Sequence, residues 1–159
     1  VALHLNTFRC SLYAYDTIPD KTFAREHKVK LGTLHDVITQ SDFLSLHIPL
    51  VPKTKGMVNK TFLGSMKKGA FLINTARGEL IDEFDLANAL DSGHLAGAAL
   101  DVFTHEPPDP ENPLMSLSQV ITTPHMASHT DIATDAMGHY ALRDCLAVLQ
   151  GTDTKYRVI

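Results

Sequence analysis

Apolar residues along this chain fall in short runs, and polar or proline-bearing segments separate them. Runs this short are too brief for helices and read as buried strands. Residues 70–73 are the clearest case, closed by Asn74 and Thr75. Residues 11–16 alternate small and aromatic side chains and end on Asp16. Residues 43–48 stop at Pro49 and Pro52. Residues 95–101 are mostly small and end on Asp101, and residues 120–123 stop at Pro124. Between these runs the apolar spacing changes to that of helices. Helices are predicted over 33–38 with Thr33 as cap, 59–66 with Lys67, Lys68 and Gly69 as its basic end, 83–90 with Asp82 as cap, and 131–149 before Gly151. Residues 1–5 read as the tail of an amphipathic helix, and residues 17–20 as a turn. Strands alternating with helices predict an α/β fold, a doubly wound parallel sheet with helices on both faces. Pro107, Pro108, Pro110 and Pro113 then form a rigid loop inside the domain, not a linker. Residues 1–150 are read as one domain and 151–159 as a tail.

Composition narrows the function more than the fold. A chain of 159 residues that is 44% hydrophobic can bury a core and is not disordered. Its net charge of -4 offers no basic footprint, so nucleic acid is not an expected partner. No apolar run approaches the ~20 residues of a membrane span. Cys10 and Cys145 form no metal-type pair, and so few cysteines fit a reducing, cytoplasmic setting. The chain starts with Val rather than Met, and a missing beginning is expected.

Three places could carry chemistry. Arg77 follows the 70–73 strand on a turn where Gly78 is expected to let the backbone bend. In open α/β sheets ligands bind at the carboxyl ends of strands, and a guanidinium there is a fork for a planar carboxylate. Asp16 ends a strand, as does the acid that accepts hydrogen bonds from an adenosine ribose in dinucleotide-binding folds. That acid lies ~20 residues after a glycine fingerprint, and no G-x-G-x-x-G occurs in this chain. Glu106 sits among prolines, and His125 follows the 120–123 strand. A carboxylate beside a histidine fixes its tautomer and favours the imidazolium, which suits a general acid-base for C–OH/C=O interconversion. His125 and His129 also make H-x-x-x-H, but Pro124 and the lack of an intervening Glu argue against a metal site. The remaining histidines are read as scattered and solvent-facing.

Together these segments resemble the D-isomer-specific 2-hydroxyacid dehydrogenases. The resemblance runs from about residue 3 to residue 158. It is strongest in MKKGAFLINTARG (66–78), LDSGHLAGAALDVF (90–103), HEP (105–107) and TPHMAS (123–128), which occur in the family's order. It implies a Rossmann-like NAD-binding domain that lacks its first strand and glycine loop, with the substrate domain absent from this chain. Arg77 matches the family's substrate-carboxylate arginine, and Glu106 and His125 its acid-base dyad. Asp16 matches the ribose-binding acid. Because Thr17 rather than a basic residue follows, NAD is expected over NADP. His47, Pro49 and Thr54, in HIPLVPKT (47–54), match the segment beside the adenosine half. Thr75, Ala76, Arg77 and Asp101, with main-chain groups near His125 and Ala127, match positions around the nicotinamide half. Val51 stands where many members carry Thr, and Met126 where Ile is common.

The activity this implies is hydride transfer between nicotinamide and C2 of a small 2-hydroxy or 2-oxo acid, by a protein that is a cytoplasmic homodimer when complete. An alternative is an NAD-responsive binding module like the C-terminal-binding co-repressors that resemble this family. Another is a catalytically incomplete fragment, because the amides that would hold a pyrophosphate are not in the chain.

Overall fold

The computed structural model describes residues 1–154; of the expected tail, residues 155–159 lie outside the described residues. The chain forms two compact units, one spanning Val1–Pro124 and one from His125 on. The division falls inside the span that the sequence reads as one domain.

The first unit holds six strands: β1 (Leu12–Ala14), β2 (Val29–Leu31), β3 (Phe43–Leu46), β4 (Phe71–Asn74), β5 (Gly97–Leu100) and β6 (Val120–Thr122). All their pairings are parallel. β1 and β2 form one sheet, and the others a second sheet in the order β3-β4-β5-β6. Helix α1 (Ala2–Thr7) precedes them, and α2 (Lys21–Glu26), α3 (Leu34–Gln40), α4 (Lys60–Ser65) and α5 (Glu83–Asp91) run between them.

Period-two alternation decides which side of the larger sheet is buried. Leu44, Leu46, Leu72, Asn74, Ala98 and Leu100 are all buried. The apolar ones join Phe62 and Leu63 of α4, Leu86 and Leu90 of α5, and Val58, Leu80 and Leu114 in one cluster. Each fully buried leucine contributes about 1.5–3 kcal/mol of transfer free energy, so this cluster holds the larger sheet and its helices together. Phe43, Phe71 and Ile121 remain 66%, 38% and 69% exposed. The Phe43 and Phe71 rings stack with centroids 5.0 Å apart.

Helix starts follow their caps. The Thr33 hydroxyl accepts from Asp36 N–H at 3.1 Å, and Asp36 Oδ2 accepts from Thr33 N–H at 2.9 Å, a capping box. Asp82 accepts from Asp85 N–H at 3.0 Å, and Asn59 from Thr61 and Phe62 N–H at 3.1 and 3.2 Å. Asp85 Oδ2 also accepts from Lys60 N–H at 2.7 Å, which joins the first turns of α4 and α5.

Some elements depart from the expectation. α2 follows directly on the predicted 17–20 turn, over residues for which no element is predicted; Asp20, the last residue of that turn, caps it by accepting from Phe23 N–H at 2.9 Å. β2 is absent from the prediction because Lys30 separates its only two apolar residues and Lys28 precedes them, as suits a sheet edge. His94 is not solvent-facing: it is half-buried, and its Nε2 lies 3.0 Å from the Leu63 carbonyl oxygen of α4. His27 is half-buried as well, its ring 4.4 Å from that of Phe23.

The second unit is built on α6 (Asp131–Leu149), capped by Thr130, which accepts from Ala133 N–H at 3.1 Å. None of the α6 residues is buried. No helix among the described residues is long and apolar enough to cross a membrane.

Candidate functional site

Parallel pairing brings the carboxyl ends of β3, β4, β5 and β6 to one edge, and the candidate residues of the first unit other than Asp16 come after those ends in the chain. The β4 end is the most constrained. Asn74 is fully buried. Its Oδ1 accepts from Ala76 N–H at 3.0 Å, and its Nδ2 donates to the Arg77 carbonyl at 2.9 Å. One side chain thus closes the whole turn that carries Arg77. The Arg77 side chain is exposed and donates back to the Ala76 carbonyl at 2.6 Å.

Gly78 serves another purpose than the expected one. It begins a 3-10 turn, Gly78–Leu80, and is absent from the positive-φ glycines. A Cβ there would fall 2.0 Å from the Phe103 carbonyl carbon, so glycine is needed for close approach of two backbones.

Thr75, Ala76 and Arg77 line an open cleft of about 540 Å³ with His47, Ile48, Pro49 and Leu50, which follow β3. His47 Nε2 lies 2.9 Å from Ser45 Oγ. Partial burial of its ring holds the imidazole below the ordinary histidine pKa, so the neutral form is favoured at neutral pH. Thr54 does not line the cleft. Its hydroxyl accepts from Val51 N–H at 2.9 Å and lies 2.8 Å from the Pro49 carbonyl, and so folds the turn that presents Pro49.

Of the other candidates in the first unit, Asp16, Asp101 and Glu106 are not among the residues lining this cleft. Asp16 is exposed just past β1, where its Oδ1 accepts from Ile18 N–H at 2.8 Å. Asp101 is buried past β5 and accepts from Thr123 Oγ1 at 2.5 Å, tying the ends of β5 and β6. Glu106 is exposed on the proline loop, and its Oε1 accepts from Phe103 N–H at 3.1 Å. His125 and Ala127 are exposed in the second unit, with His125 at φ 52°.

The model of the D-isomer specific 2-hydroxyacid dehydrogenase NAD binding domain matches residues 1–127. The chain belongs to this family. Among its relatives, the D-3-phosphoglycerate dehydrogenase of Archaeoglobus fulgidus is 35% identical over 158 residues, which cover 99% of this chain and 30% of that protein. The glyoxylate reductase of Korarchaeum cryptofilum is 36% identical over 151 residues, 95% of this chain and 46% of that one. Among solved structures, the NAD-complexed D-isomer specific 2-hydroxyacid dehydrogenase of Lactobacillus delbrueckii ssp. bulgaricus superimposes with a TM-score of 0.90. It is 32% identical and covers 99% of this chain and 52% of that one. The chain thus spans about half or less of the length of these dehydrogenases, and the part it matches is their NAD-binding domain.

The residues present fit part of such a cofactor. An exposed carboxylate past β1 suits a ribose diol. The cleft offers apolar surface from Ile48, Pro49, Leu50 and Ala76 beside the polar side chains of His47, Thr75 and Arg77, a mixed lining that suits the flat portions of a dinucleotide. Glycine amides in the G-x-G-x-x-G pattern are not in the sequence.

Sequence reasoning passed over Asn74 as a mere strand end. Its signal was available: spaced two from Leu72, it points to the buried side, and a polar residue there must be hydrogen-bonded.

Proposed function

We propose that the protein carrying this chain is an NAD-dependent oxidoreductase of the D-2-hydroxyacid dehydrogenase type, cytoplasmic and homodimeric, acting on a small 2-hydroxy or 2-oxo acid. Bound NAD supplies the hydride acceptor, and NADH the donor, at C2 of the acid. Arg77 grips the carboxylate with its planar fork and draws electron density from the adjoining carbonyl. His125, protonated, gives its proton to the carbonyl oxygen during reduction and recovers it during oxidation. Glu106 sustains the imidazolium near neutral pH. Asp16 accepts from the adenosine ribose and repels a 2′-phosphate. His47, Pro49 and Thr54 border the adenosine half. Thr75, Ala76 and Asp101, with the main chain at His125 and Ala127, border the nicotinamide half.

The observation that carries this reading is the Asn74-braced turn, which presents Arg77 to a cleft at the carboxyl edge of a parallel sheet. The family's NAD-binding domain and the two exposed free cysteines, suited to a reducing compartment, agree with it. The test is NADH oxidation by the full-length protein with glyoxylate, pyruvate and hydroxypyruvate. Arg77→Gln should lower kcat/KM at least ~100-fold, about 2.7 kcal/mol, while NADH affinity holds. Turnover indifferent to Arg77→Gln would refute the assignment.

A further inference from the structure

We propose that Glu83, the first residue of α5, is a positioning residue that fixes the loop bearing Glu106 by clasping it at both ends. Its Oε1 accepts from Thr104 N–H at 2.7 Å, and its Oε2 accepts from Asn112 Nδ2 at 2.5 Å. These partners bracket Glu106. Beyond them the chain is anchored in the core: Val102 and Phe103 on one side and Leu114 on the other are buried. Between them Thr104, His105, Glu106 and Pro107 are exposed. An exposed loop gets little orientation from packing, so its aim rests on hydrogen bonds: the one Glu106 accepts from Phe103 N–H and those that hold its ends.

The clasp is directional. Asn112 Oδ1 accepts from Leu114 N–H at 3.0 Å, which fixes the amide's orientation and commits its NH₂ group to Glu83. The simpler account is a carboxylate at N1 that favours α5 through the helix dipole. That account leaves unexplained why each oxygen meets a group of the loop. Asp82 already caps the helix through Asp85 N–H, so Glu83 is not its cap.

What the loop does once held rests on the dehydrogenase reading above; the clasp itself is separate. Glu83 touches no reacting group under that reading and acts through Glu106. Glu83→Gln keeps the length of the side chain and breaks one arm, because its amide can accept for one partner only and turns a donor toward the other. Adding Asn112→Asp restores that arm in reverse: the new amide donates, the new carboxylate accepts, and its second oxygen still serves Leu114 N–H.

The experiment measures NADH affinity, kcat and KM for the best 2-oxo acid, together with amide hydrogen exchange over residues 103–112, all in the full-length protein. Glu83→Gln should speed exchange at Thr104 and lower kcat roughly ten- to a hundredfold, since misplacement alone can have that effect. NADH affinity should hold, and the double variant should recover both kcat and protection. Unchanged kcat overturns the proposal. So does a loss of kcat that tracks NADH affinity and is not recovered by Asn112→Asp, because that marks a merely structural role. If the wild type reduces no 2-oxo acid, the dehydrogenase reading fails. The clasp is then judged on exchange alone: faster in Glu83→Gln and restored in the double variant supports it, and no change refutes it. If Glu83→Gln does not fold, Asn112→Ala removes the same arm from the loop side and is judged by the same criteria.

Discussion

Gly78 and Phe103 are in backbone contact: a methyl group on Gly78 would sit 2.2 Å from the Phe103 carbonyl oxygen and 2.4 Å from Thr104 N. The turn after β4 and the loop leading to Glu106 therefore move together. Gly78→Ala cannot be absorbed by a rotamer change, because the obstacle is main chain. It should destabilise by more than the ~1–3 kcal/mol usual for an overpacked core and should reduce turnover with it. Gly138→Ala, in the interior of α6 with open space around the new methyl, is the control and should stabilise by up to ~1 kcal/mol. Thermal melts of the two variants check this. Equal melting temperatures would remove the constraint.

Asp16 should set the choice between NAD and NADP. Its exposed carboxylate stands past β1, and the next residue is Thr17 rather than a cation. Asp16→Ala in the full-length protein should weaken NADH binding and narrow the gap to NADPH. A wild type that prefers NADPH by tenfold, about 1.4 kcal/mol, would be incompatible with this role. Titration of cofactor fluorescence measures both affinities.

His47 should make the fold sensitive to mild acid. Partial burial lowers its folded-state pKa beneath the 6.5 of a free imidazole. Below 6.5 the unfolded chain binds a proton that folded His47 resists, so stability falls with pH through that window. The loss ends once pH passes the folded value. Asp36 acts with the same sign in a lower window. Hydrogen bonds from Thr33 hold its carboxyl below 3.8, so its contribution to α3 is complete above that value and vanishes as pH drops through the folded pKa. Urea denaturation across pH should show the first slope in wild type and lose it in His47→Gln. A slope that survives the substitution belongs to another group.

The 159 residues expressed alone should associate and should not oxidise NADH with glyoxylate, pyruvate or hydroxypyruvate. Among the described residues β1 pairs only with β2, and β3 only with β4, so each sheet has an open edge. Phe43, Phe71 and Ile121 add exposed apolar surface. Light scattering after gel filtration reads the association. A monomer with the full-length protein's rate would contradict both statements.

Much of the fold was legible because each strand of the larger sheet is a short apolar run and each helix start from α3 on carries its own cap. Thr33 and Asp82 bond to residues three positions on, within reach of local reading. β2 escaped because Lys30 breaks its apolar pattern. For the site, motif resemblance singled out His47, Pro49 and Thr54 for one half of the cofactor and Thr75, Ala76 and Arg77 for the other; that His47 and Pro49 share a cleft with Thr75, Ala76 and Arg77 was not read from the sequence. The reason for Gly78 did not follow, since its partner Phe103 is distant in sequence. Nor did Glu83, whose partners lie 21 and 29 residues away and give no periodic signal. Local rules see caps and runs; they cannot see which loop returns to a helix start.

The brace that Asn74 builds lies wholly within four consecutive residues. Its donor, its acceptor and the arginine it aims travel together. Such a segment is portable. Grafted onto the end of another parallel strand whose last inward position is buried, residues 74–77 would carry the backbone path of the arginine turn with them. Drift elsewhere in the scaffold can therefore remodel the walls of the cleft without retraining the residue that faces it.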